Sequence, residues 1–253
     1  MDLLFDLGNT RMKVACRDAT GVRALAALAW DAPDFLAQWH ALELAAAERI
    51  AIANVTRSHR LDALQALLTV RFPAVPVRIA KTLAQCGRLR VAYAQPDKLG
   101  VDRFLALLAA SQSAQLQLLV GVGTAMTIDA LAADGRHLGG TIVPGVRLMR
   151  EAMTRAAPNV DWHEGAYCTD FAADTATALE SGIWCALAGA VERSVQRLAM
   201  RAESAPQVIL HGGDAPMLAA QLGTPARRDA LLVMRGLAAY LDAGVAQSRA
   251  SSD

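Results

Sequence analysis

The sequence predicts an α/β protein of two similar halves, with mixed sheets flanked by helices and a cleft between the halves. Short apolar runs alternate with helical patterns along the 253 residues, as in an α/β chain. The segments DLGNTRMKVACRDATG and GVGTAMTIDALAADG can also be overlaid, with Gly8 on Gly123. Each copy reads as strand, glycine–hydroxyl turn, strand, polar turn and strand. We therefore expect one domain over residues 1–115 and a second over 116–253.

In the first half, β-leaning runs surround the GNT turn and recur further along the chain. Strands are predicted at 3–7, 12–16, 21–27, 50–55 and 75–80. Apolar residues at helical spacing predict helices at 33–49, 59–72 and 102–114. Residues 81–100 have no clean period and contain Gly87, Pro96 and Gly100, so we expect a functional loop there.

The second half repeats this order. Strands are predicted at 117–123, 124–131 and 136–143, and segment 206–214 runs from a strand into a glycine turn. The Asp-Gly pair at 134–135 is a hairpin signal. Helices are predicted at 146–157, 175–202, 216–222 and 230–247. An irregular loop is expected over 157–174 and a frayed tail over 248–253.

Composition argues against several classes of partner. The net charge is +1 and no stretch is rich in Lys or Arg, whereas nucleic-acid binding needs clustered cations. No uninterrupted apolar run reaches the ~18 residues that would span a membrane. Asp2 and Asp6 interrupt the N-terminal apolar run, which does not resemble a leader. The four cysteines form no CxxC pair, so we expect buried thiols in a cytoplasmic protein.

The segment DLGNTRMK places Asp6, Gly8, Thr10 and Lys13 between two strands. It is not a Walker A loop, because it lacks the GxxxxGK[ST] pattern and does not open a helix. Gly8 would let phosphate oxygens approach the backbone, Thr10 and Lys13 would contact them, and Asp6 would hold Mg²⁺. The alternative is a plain hairpin with solvated charges.

Two other glycine turns have similar alternatives. GVGTAMTID offers Gly121 and Gly123 for close approach and the hydroxyl of Thr124, or it is a tight turn between buried strands. HGGD at 211–214 follows a strand and precedes a helix, so it is either a seat for a nucleoside or an ordinary strand–helix turn. His211 by itself is read as a structural residue.

Two further motifs carry polar side chains at predicted helix starts. In GVDR at 100–103, Asp102 would either cap the helix or act as a general base for a substrate hydroxyl. Arg103 would hold a carboxylate with its planar set of donors, and Tyr93 would line the pocket or pack on the surface. In DTATALESG, Asp174 or Thr175 would be the N-cap, and Thr175 could instead face a ligand.

Together these motifs resemble the type III pantothenate kinases, of the acetate kinase, sugar kinase, heat-shock ATPase and actin superfamily. DLGNTRMK, GVDR, GVGTAMTID with GGTIVPG, DTATALESG and HGGD follow in that order through nearly the whole chain. The resemblance implies two ribonuclease-H-like domains and a homodimer whose partner chain helps to shape the pantothenate pocket. It also implies ATP-dependent phosphorylation of pantothenate, the first step of coenzyme A biosynthesis.

The resemblance also implies roles for individual residues. Asp102 would be the catalytic base, and Asp6 would lie near the Mg²⁺. The residues implied to bind ATP are Asp6, Leu7, Gly8, Asn9, Thr10, Arg11, Met12, Lys13 and Thr124. Those implied to bind pantothenate are Tyr93, Gly100, Val101, Asp102, Arg103 and Thr175, with Thr177 an alternative to Thr175.

One position departs from the family pattern. The second turn of the family usually reads DxGTA, and its Asp helps to bind a monovalent cation such as K⁺ or NH₄⁺, but this chain has Gly121 there. Either K⁺ dependence is weak or neutral oxygens hold the ion. Two rival functions remain open at this point: a regulatory protein of the same fold, and an enzyme acting on another acceptor.

Overall fold

Two structural units divide the chain, and neither is contiguous in sequence. The computed structural model describes residues 1–56, 58–160, 165–167 and 171–250. Among these, the first unit takes the residues of 1–114, 134–137 and 231–253, and the second takes those of 115–133 and 138–230. The first division falls beside the boundary predicted near residue 115. The C-terminal segment, however, clusters with the first unit.

The strands follow the predicted runs closely. In chain order they are β1 (Asp2–Leu7), β2 (Arg11–Asp18), β3 (Gly21–Ala29), β4 (Arg49–Asn54), β5 (Val77–Ile79), β6 (Gln85–Cys86), β7 (Leu89–Arg90), β8 (Gln117–Val122), β9 (Ala125–Leu131), β10 (His137–Pro144), β11 (Gln207–His211) and β12 (Ala226–Arg228). The short hairpin β6–β7 lies inside the predicted loop 81–100. The edge strand β12 was not predicted, because its three residues, ARR, have no apolar alternation.

The helices also match, with one exception. They are α1 (Phe35–Ala41), α2 (Ser58–Arg71), α3 (Val101–Ala110), α4 (Val146–Ala156), α5 (Thr175–Ala202), α6 (Ala215–Ala219) and α7 (Leu232–Ala250). A single 3₁₀ turn spans Pro96–Lys98. Helix α7 continues through residues 248–250, so the frayed tail predicted from residue 248 is wrong there. Part of the irregular loop predicted at 157–174, and the last three residues of the predicted tail, lie outside the described residues.

The two large sheets have the same strand order, which confirms the duplication seen in the sequence. The first sheet runs β3-β2-β1-β4-β5 and the second runs β10-β9-β8-β11-β12. In the first, β1 is antiparallel to β2 and parallel to β4. In the second, β8 is antiparallel to β9 and parallel to β11. Each unit therefore has a mixed sheet whose central strand runs directly into a glycine turn.

The helix predicted over 33–49 is wrong in its second half, because α1 ends at Ala41. Leu42 adopts extended angles, and Leu44 and Ala47 pack against the core of the first unit as an irregular segment. The Arg71 guanidinium donates to the carbonyl oxygens of Trp39, at 3.3 Å, and Leu42. These bonds satisfy carbonyl groups at the helix end, which a longer helix would otherwise have paired.

Helix α7 packs against α3 in the first unit. The two helices approach closely at Gly236, where an added Cβ would lie 1.9 Å from the Leu105 carbonyl oxygen. Phe104 and Tyr240 meet edge-on with ring centroids 6.3 Å apart, and both side chains are buried. Because α3 begins beside Asp102, α7 supports the helix on which a predicted site residue lies.

Four charged residues join α7 to the first sheet. The Arg17 guanidinium contacts Asp242 at 2.6 and 2.9 Å and Asp2 at 2.5 Å, while Arg49 contacts Asp2 at 2.8 Å and Asp242 at 3.3 Å. Burial alone would raise the pKa of Asp2, but the hydrogen bonds and charges of Arg49 and Arg17 outweigh it and lower that pKa. The carboxylates are therefore held ionised at the junction of three strands and a helix.

Cysteine exposure differs from expectation at one position. Cys16 and Cys86 are buried, as predicted, whereas Cys185 is exposed on α5. Cys168 lies outside the described residues. Across the helices that the structure describes, none combines the length and the apolarity that crossing a membrane requires.

Candidate active site

Trp30 and Arg60, which no sequence motif singled out, donate hydrogen bonds to the main chain of the β1–β2 turn. Gly8 closes the turn by donating its N–H to the Arg11 carbonyl at 3.1 Å. The Trp30 indole N–H donates to the Gly8 carbonyl at 2.7 Å, and its backbone N–H donates to the Thr10 carbonyl at 3.2 Å. Arg60 lies over the Trp30 ring and donates to the Asn9 carbonyl. Three successive carbonyl groups are thus engaged, which fixes the turn's conformation.

Side chains along the predicted ATP segment divide between core and surface. Leu7 and Met12 are fully buried in the core of the first unit, so their contacts with any ligand would come from the main chain. Asn9, Thr10 and Arg11 are exposed at the turn. The tip of the turn is therefore open to solvent, while the strand ends on either side of it are buried.

Asp6, Lys13 and Asp102 form a charged cluster, all within the first unit. Asp6 and Lys13 are directly paired across β1 and β2, with Nζ 3.5 Å from Oδ2. Asp6 is buried, whereas the Lys13 side chain is 40% exposed. Burial raises the pKa of Asp6, and the negative charge of Asp102 raises it further, against the opposing effect of Lys13. Two carboxylates therefore lie close enough to repel each other.

This cluster suits a divalent cation bound together with phosphate. Two neighbouring carboxylates, one of them buried, would be stabilised by a positive ion, and Mg²⁺ needs only one or two protein carboxylates when phosphate and water supply the other ligands. Among the described residues, no group of three or more His, Cys, Asp or Glu side chains is placed to hold a metal alone. The donor set therefore fits a metal that arrives with a nucleotide.

The start of α3 fixes Asp102. Gly100 is the N-cap residue, and Asp102 Oδ1 accepts the Arg103 backbone N–H at 2.9 Å. An added Cβ at Gly100 would lie 2.7 Å from that oxygen, so a larger residue there would displace the carboxylate. Val101 is buried beside it and anchors the first turn in the core. Asp102 thus lies in the first turn of α3, as predicted, but the N-cap is Gly100 and not Asp102.

Arg103 and Tyr93 lie together, and a third residue extends the stack. The buried Arg103 donates to the Tyr93 hydroxyl at 3.1 Å, and its guanidinium carbon is 5.8 Å from the ring centroid. His137 also stacks on Tyr93, with the two ring centroids 6.0 Å apart at an interplanar angle of 17°. His137 is buried, and no motif in the sequence pointed to it. The loop 81–100 is thereby tied to the first turn of α3.

In the second unit, three glycine motifs converge on the β8–β9 turn. Gly123 donates to the Ala125 carbonyl at 3.1 Å, and Gly145 donates to the Thr124 carbonyl at 3.0 Å. A Cβ at Gly145 would lie 2.0 Å from the Gly123 carbonyl oxygen. Gly212 has a φ of 98°, and a Cβ there would lie 2.2 Å from the carbonyl oxygen of the last β8 residue. Segments GVGT, VPG and HGG therefore pack backbone against backbone.

The space beside Gly121, where the family pattern has an Asp that helps to bind a monovalent cation, is occupied by other side chains. A Cβ there would lie 2.8 Å from Cε1 and 2.9 Å from Nε2 of His211, and 2.9 Å from the Thr127 hydroxyl oxygen. The space that a carboxylate at position 121 would need thus holds an imidazole and a hydroxyl. The residues present do not fit a carboxylate-bound K⁺ or NH₄⁺.

Thr175 is the first residue of α5 and is exposed. The N-cap is Asp174, whose carboxylate accepts the Thr177 backbone N–H at 2.8 Å. That backbone hydrogen bond is the main reason why the pKa of Asp174 is lowered. Of the two capping residues that the sequence left open, Asp174 has the role. The Thr175 hydroxyl is therefore not required as a helix cap.

Comparisons with known proteins show what this chain is similar to in sequence. The profile of a family described as type III pantothenate kinase matches residues 2–197. A Stenotrophomonas maltophilia protein named type III pantothenate kinase is 42% identical over 218 residues, which are 86% of this chain and 88% of that protein.

Two solved structures are similar in fold. One is a Campylobacter jejuni protein described as belonging to the Baf family of transcriptional activators, with a TM-score of 0.60, 20% identity, and coverage of 96% of this chain and 98% of that one. The other is the activator of 2-hydroxyisocaproyl-CoA dehydratase from Clostridium difficile with bound ADPNP, with a TM-score of 0.51, 12% identity, and coverage of 98% and 97%. Both support the α/β architecture of mixed sheets flanked by helices.

Proposed function

We propose how individual residues act in this chain, starting from the fact that it belongs to the type III pantothenate kinase family. The chain is a kinase that phosphorylates pantothenate with ATP, in the first step of coenzyme A biosynthesis. The observation that carries the residue assignments is the cluster of Asp6, Lys13 and Asp102 beside a glycine turn in one unit. Phosphoryl transfer depends mainly on positioning and charge stabilisation, which such a cluster can supply.

Asp102 acts as the general base. The pantothenate hydroxyl oxygen attacks the γ-phosphorus, the bond from that phosphorus to the ADP oxygen breaks, and the hydroxyl proton passes to the Asp102 carboxylate. Its position supports this role, because one carboxylate oxygen is oriented by the Arg103 N–H at 2.9 Å. A base must be held in this way to reach the proton it accepts.

The first turn binds the ATP phosphates. Lys13 offsets charge on the transferred phosphoryl group, and Thr10, exposed at the turn, donates its hydroxyl to a phosphate oxygen. Bound Mg²⁺ would stabilise the charge that develops on the phosphoryl oxygens, and Asp6 would hold it directly or through water. In the second unit, Thr124 contacts ATP at the equivalent turn.

The acceptor is recognised through its carboxylate. Arg103 anchors that group, because its guanidinium is held in one orientation by the Tyr93 hydroxyl and ring. Gly100 and Val101 contribute main-chain contacts beside it, and Thr175 donates a hydroxyl to pantothenate. A small acidic alcohol fits this set of groups better than a sugar, whose hydroxyls need no buried cation.

The substitution Asp102→Asn tests the base assignment. We expect kcat for pantothenate-dependent ADP release to fall by about 10²–10⁴-fold, the usual range for a positioned base. ADP affinity, measured by calorimetry, should stay near that of the wild type. Asp97→Asn is the matched control, because Asp97 is a carboxylate of the same loop region with a 73% exposed side chain. Near-normal turnover of Asp102→Asn would refute the assignment.

The identity of the acceptor can be tested on the wild-type protein. We expect ADP release with pantothenate to exceed that with a panel of other small hydroxy acids and sugars. A better substrate in the panel would assign the chain to another acceptor, and no ADP release with any of them would favour a regulatory role.

We also propose that the protein is cytoplasmic and forms a homodimer. Sedimentation equilibrium of the purified protein would test the dimer.

A further inference from the structure

Equivalent rows of side chains in the two sheets differ in a systematic way. Across β2, β1 and β4 the first sheet pairs Lys13, Asp6 and Ala53. Across β9, β8 and β11 the second sheet pairs Thr127, Gly121 and His211. Because the sheets share their strand order, Gly121 is the equivalent of Asp6 and His211 is the equivalent of Ala53. The carboxylate in the middle of the first row is missing from the second, and an imidazole has been added beside it.

The imidazole extends into the space that the missing side chain would occupy. Directly paired residues present their side chains on the same face of a sheet, so His211 and Thr127 flank Gly121 from both sides. The contacts of an added Cβ, 2.8 Å to Cε1 and 2.9 Å to Nε2 of His211, show that the ring lies over the glycine. A carboxylate at 121 and an imidazole at 211 would compete for this volume.

The second row contains two side chains that can bind an anion. A hydroxyl and an imidazole can both donate hydrogen bonds to phosphate oxygens, whereas a monovalent cation needs several oxygen ligands. The row lies at the carboxyl end of β8 and β11, immediately before the turns of Gly123 and Gly212. In the first sheet the equivalent row holds the residues proposed to act at the phosphates.

We propose that His211 binds the nucleotide phosphates directly and makes this kinase independent of monovalent cations. The inference rests on the proposed function for the location of the nucleotide, since the second turn is taken to contact ATP. The imidazole takes the role that an ion bound to a carboxylate would have at this turn. Gly121 is the residue that gives the ring its place.

The first test compares nucleotide binding and cation response. In the wild-type enzyme, exchange of K⁺ or NH₄⁺ for tetramethylammonium should change kcat/KM for ATP by less than about twofold. His211→Ala should weaken ADP binding, measured by calorimetry, by about 10-fold or more, because a hydrogen bond to a charged group is lost. His211→Gln keeps a donor and should recover part of that affinity. His40→Ala is the matched control, because His40 is exposed on α1 in the first unit.

The second test restores a carboxylate at position 121 and removes the imidazole at position 211. Gly121→Asp alone places a carboxylate against the ring and should lower ADP affinity. The double variant Gly121→Asp with His211→Ala vacates the space, and K⁺ should then activate turnover by at least about fivefold. Circular dichroism establishes that each variant is folded.

The outcomes separate this inference from the proposed function. Strong activation of the wild-type kinase by millimolar K⁺, or unchanged ADP affinity in folded His211→Ala, would overturn the inference and leave the pantothenate kinase assignment standing. Absence of pantothenate-dependent ADP release in the wild type would overturn the function. In that case, calorimetry of ADP binding to the wild type and to His211→Ala would show whether His211 contacts the nucleotide.

Discussion

Substitution of Gly236 by alanine should destabilise the protein, although alanine is the better helix former. The added Cβ would lie 1.9 Å from the Leu105 carbonyl oxygen and 2.5 Å from its carbon, whereas ordinary contact begins at 3.4 Å. Helices α3 and α7 would have to separate by about 1.5 Å, the difference between 3.4 and 1.9 Å. Forced separation of a packed interface costs about 1–3 kcal/mol, whereas alanine gains ~1 kcal/mol in helix propensity, so the expected net loss is up to about 2 kcal/mol.

Calorimetric unfolding measures this effect. A net loss of up to about 2 kcal/mol corresponds to a fall in Tm of up to about 8 °C for a chain of this size. Because α3 carries Asp102 at its start, kcat should fall as well, while the ADP affinity of the second turn should change less. Misplacement of a catalytic group by about 1 Å can cost about 10²-fold.

A matched control substitution, Gly189→Ala, should stabilise the protein instead of destabilising it. Gly189 lies within α5, is exposed, and has no atom within 4 Å of an added Cβ apart from its own helix and chain neighbours. Gly189→Ala should therefore raise the free energy of unfolding by about 0.5–1 kcal/mol through helix propensity alone. A rise in Tm for Gly236→Ala, or equal shifts at the two glycines, would refute the packing argument.

Three further predictions concern charged residues. Asp6→Asn should raise Tm at pH 7, because burial raises the pKa of Asp6 and so penalises its ionised form. This gain in Tm should disappear as the pH falls through the raised pKa of Asp6 and the wild-type carboxylate protonates. The same substitution should lower kcat by about 10²-fold or more. Asp242→Asn should lower Tm at pH 7, since the hydrogen bond from Arg17 stabilises the ionised carboxylate and lowers the pKa of Asp242. The difference in Tm between wild type and variant should narrow below pH 3.8, because this stabilisation is lost as the carboxylate protonates. Arg103→Lys should raise KM for pantothenate about 10-fold with KM for ATP unchanged, because Lys cannot keep the fork and the Tyr93 contact; equal effects on both would contradict this.

Local features of the fold were predictable because local residues determine them. The runs flanking GNT and GVGT became β1, β2, β8 and β9, since each has strand composition and a turn that glycine makes possible. These strand–turn–strand features depend on neighbours within about ten residues. The overlay of Gly8 on Gly123 also predicted two similar halves, and the two large sheets have the same strand order.

Long-range contacts explain what the sequence could not predict. Helix α1 ends at Ala41, where Arg71, some thirty residues away, donates to the carbonyl oxygens of Trp39 and Leu42. Trp30 and Arg60 hold the first turn through contacts with main-chain oxygens, which leave no motif. His137 joined Tyr93 by packing alone. At Gly121 the sequence revealed the missing carboxylate, but only the cross-strand pairing revealed that His211 fills its place.

The return of α7 to the first unit affects the order in which this protein can fold during synthesis. The first unit obtains α7 and Asp242 only after residues 115–230 have been made. At a synthesis rate of about 5–20 residues per second, those 116 residues take about 6 to 23 s. During that interval the α7-facing side of α3, including Phe104, lacks its partner on the nascent chain. A ribosome that stalls before residue 231 would therefore present an unfinished apolar surface to chaperones, although the chain of the catalytic cluster had already been completed.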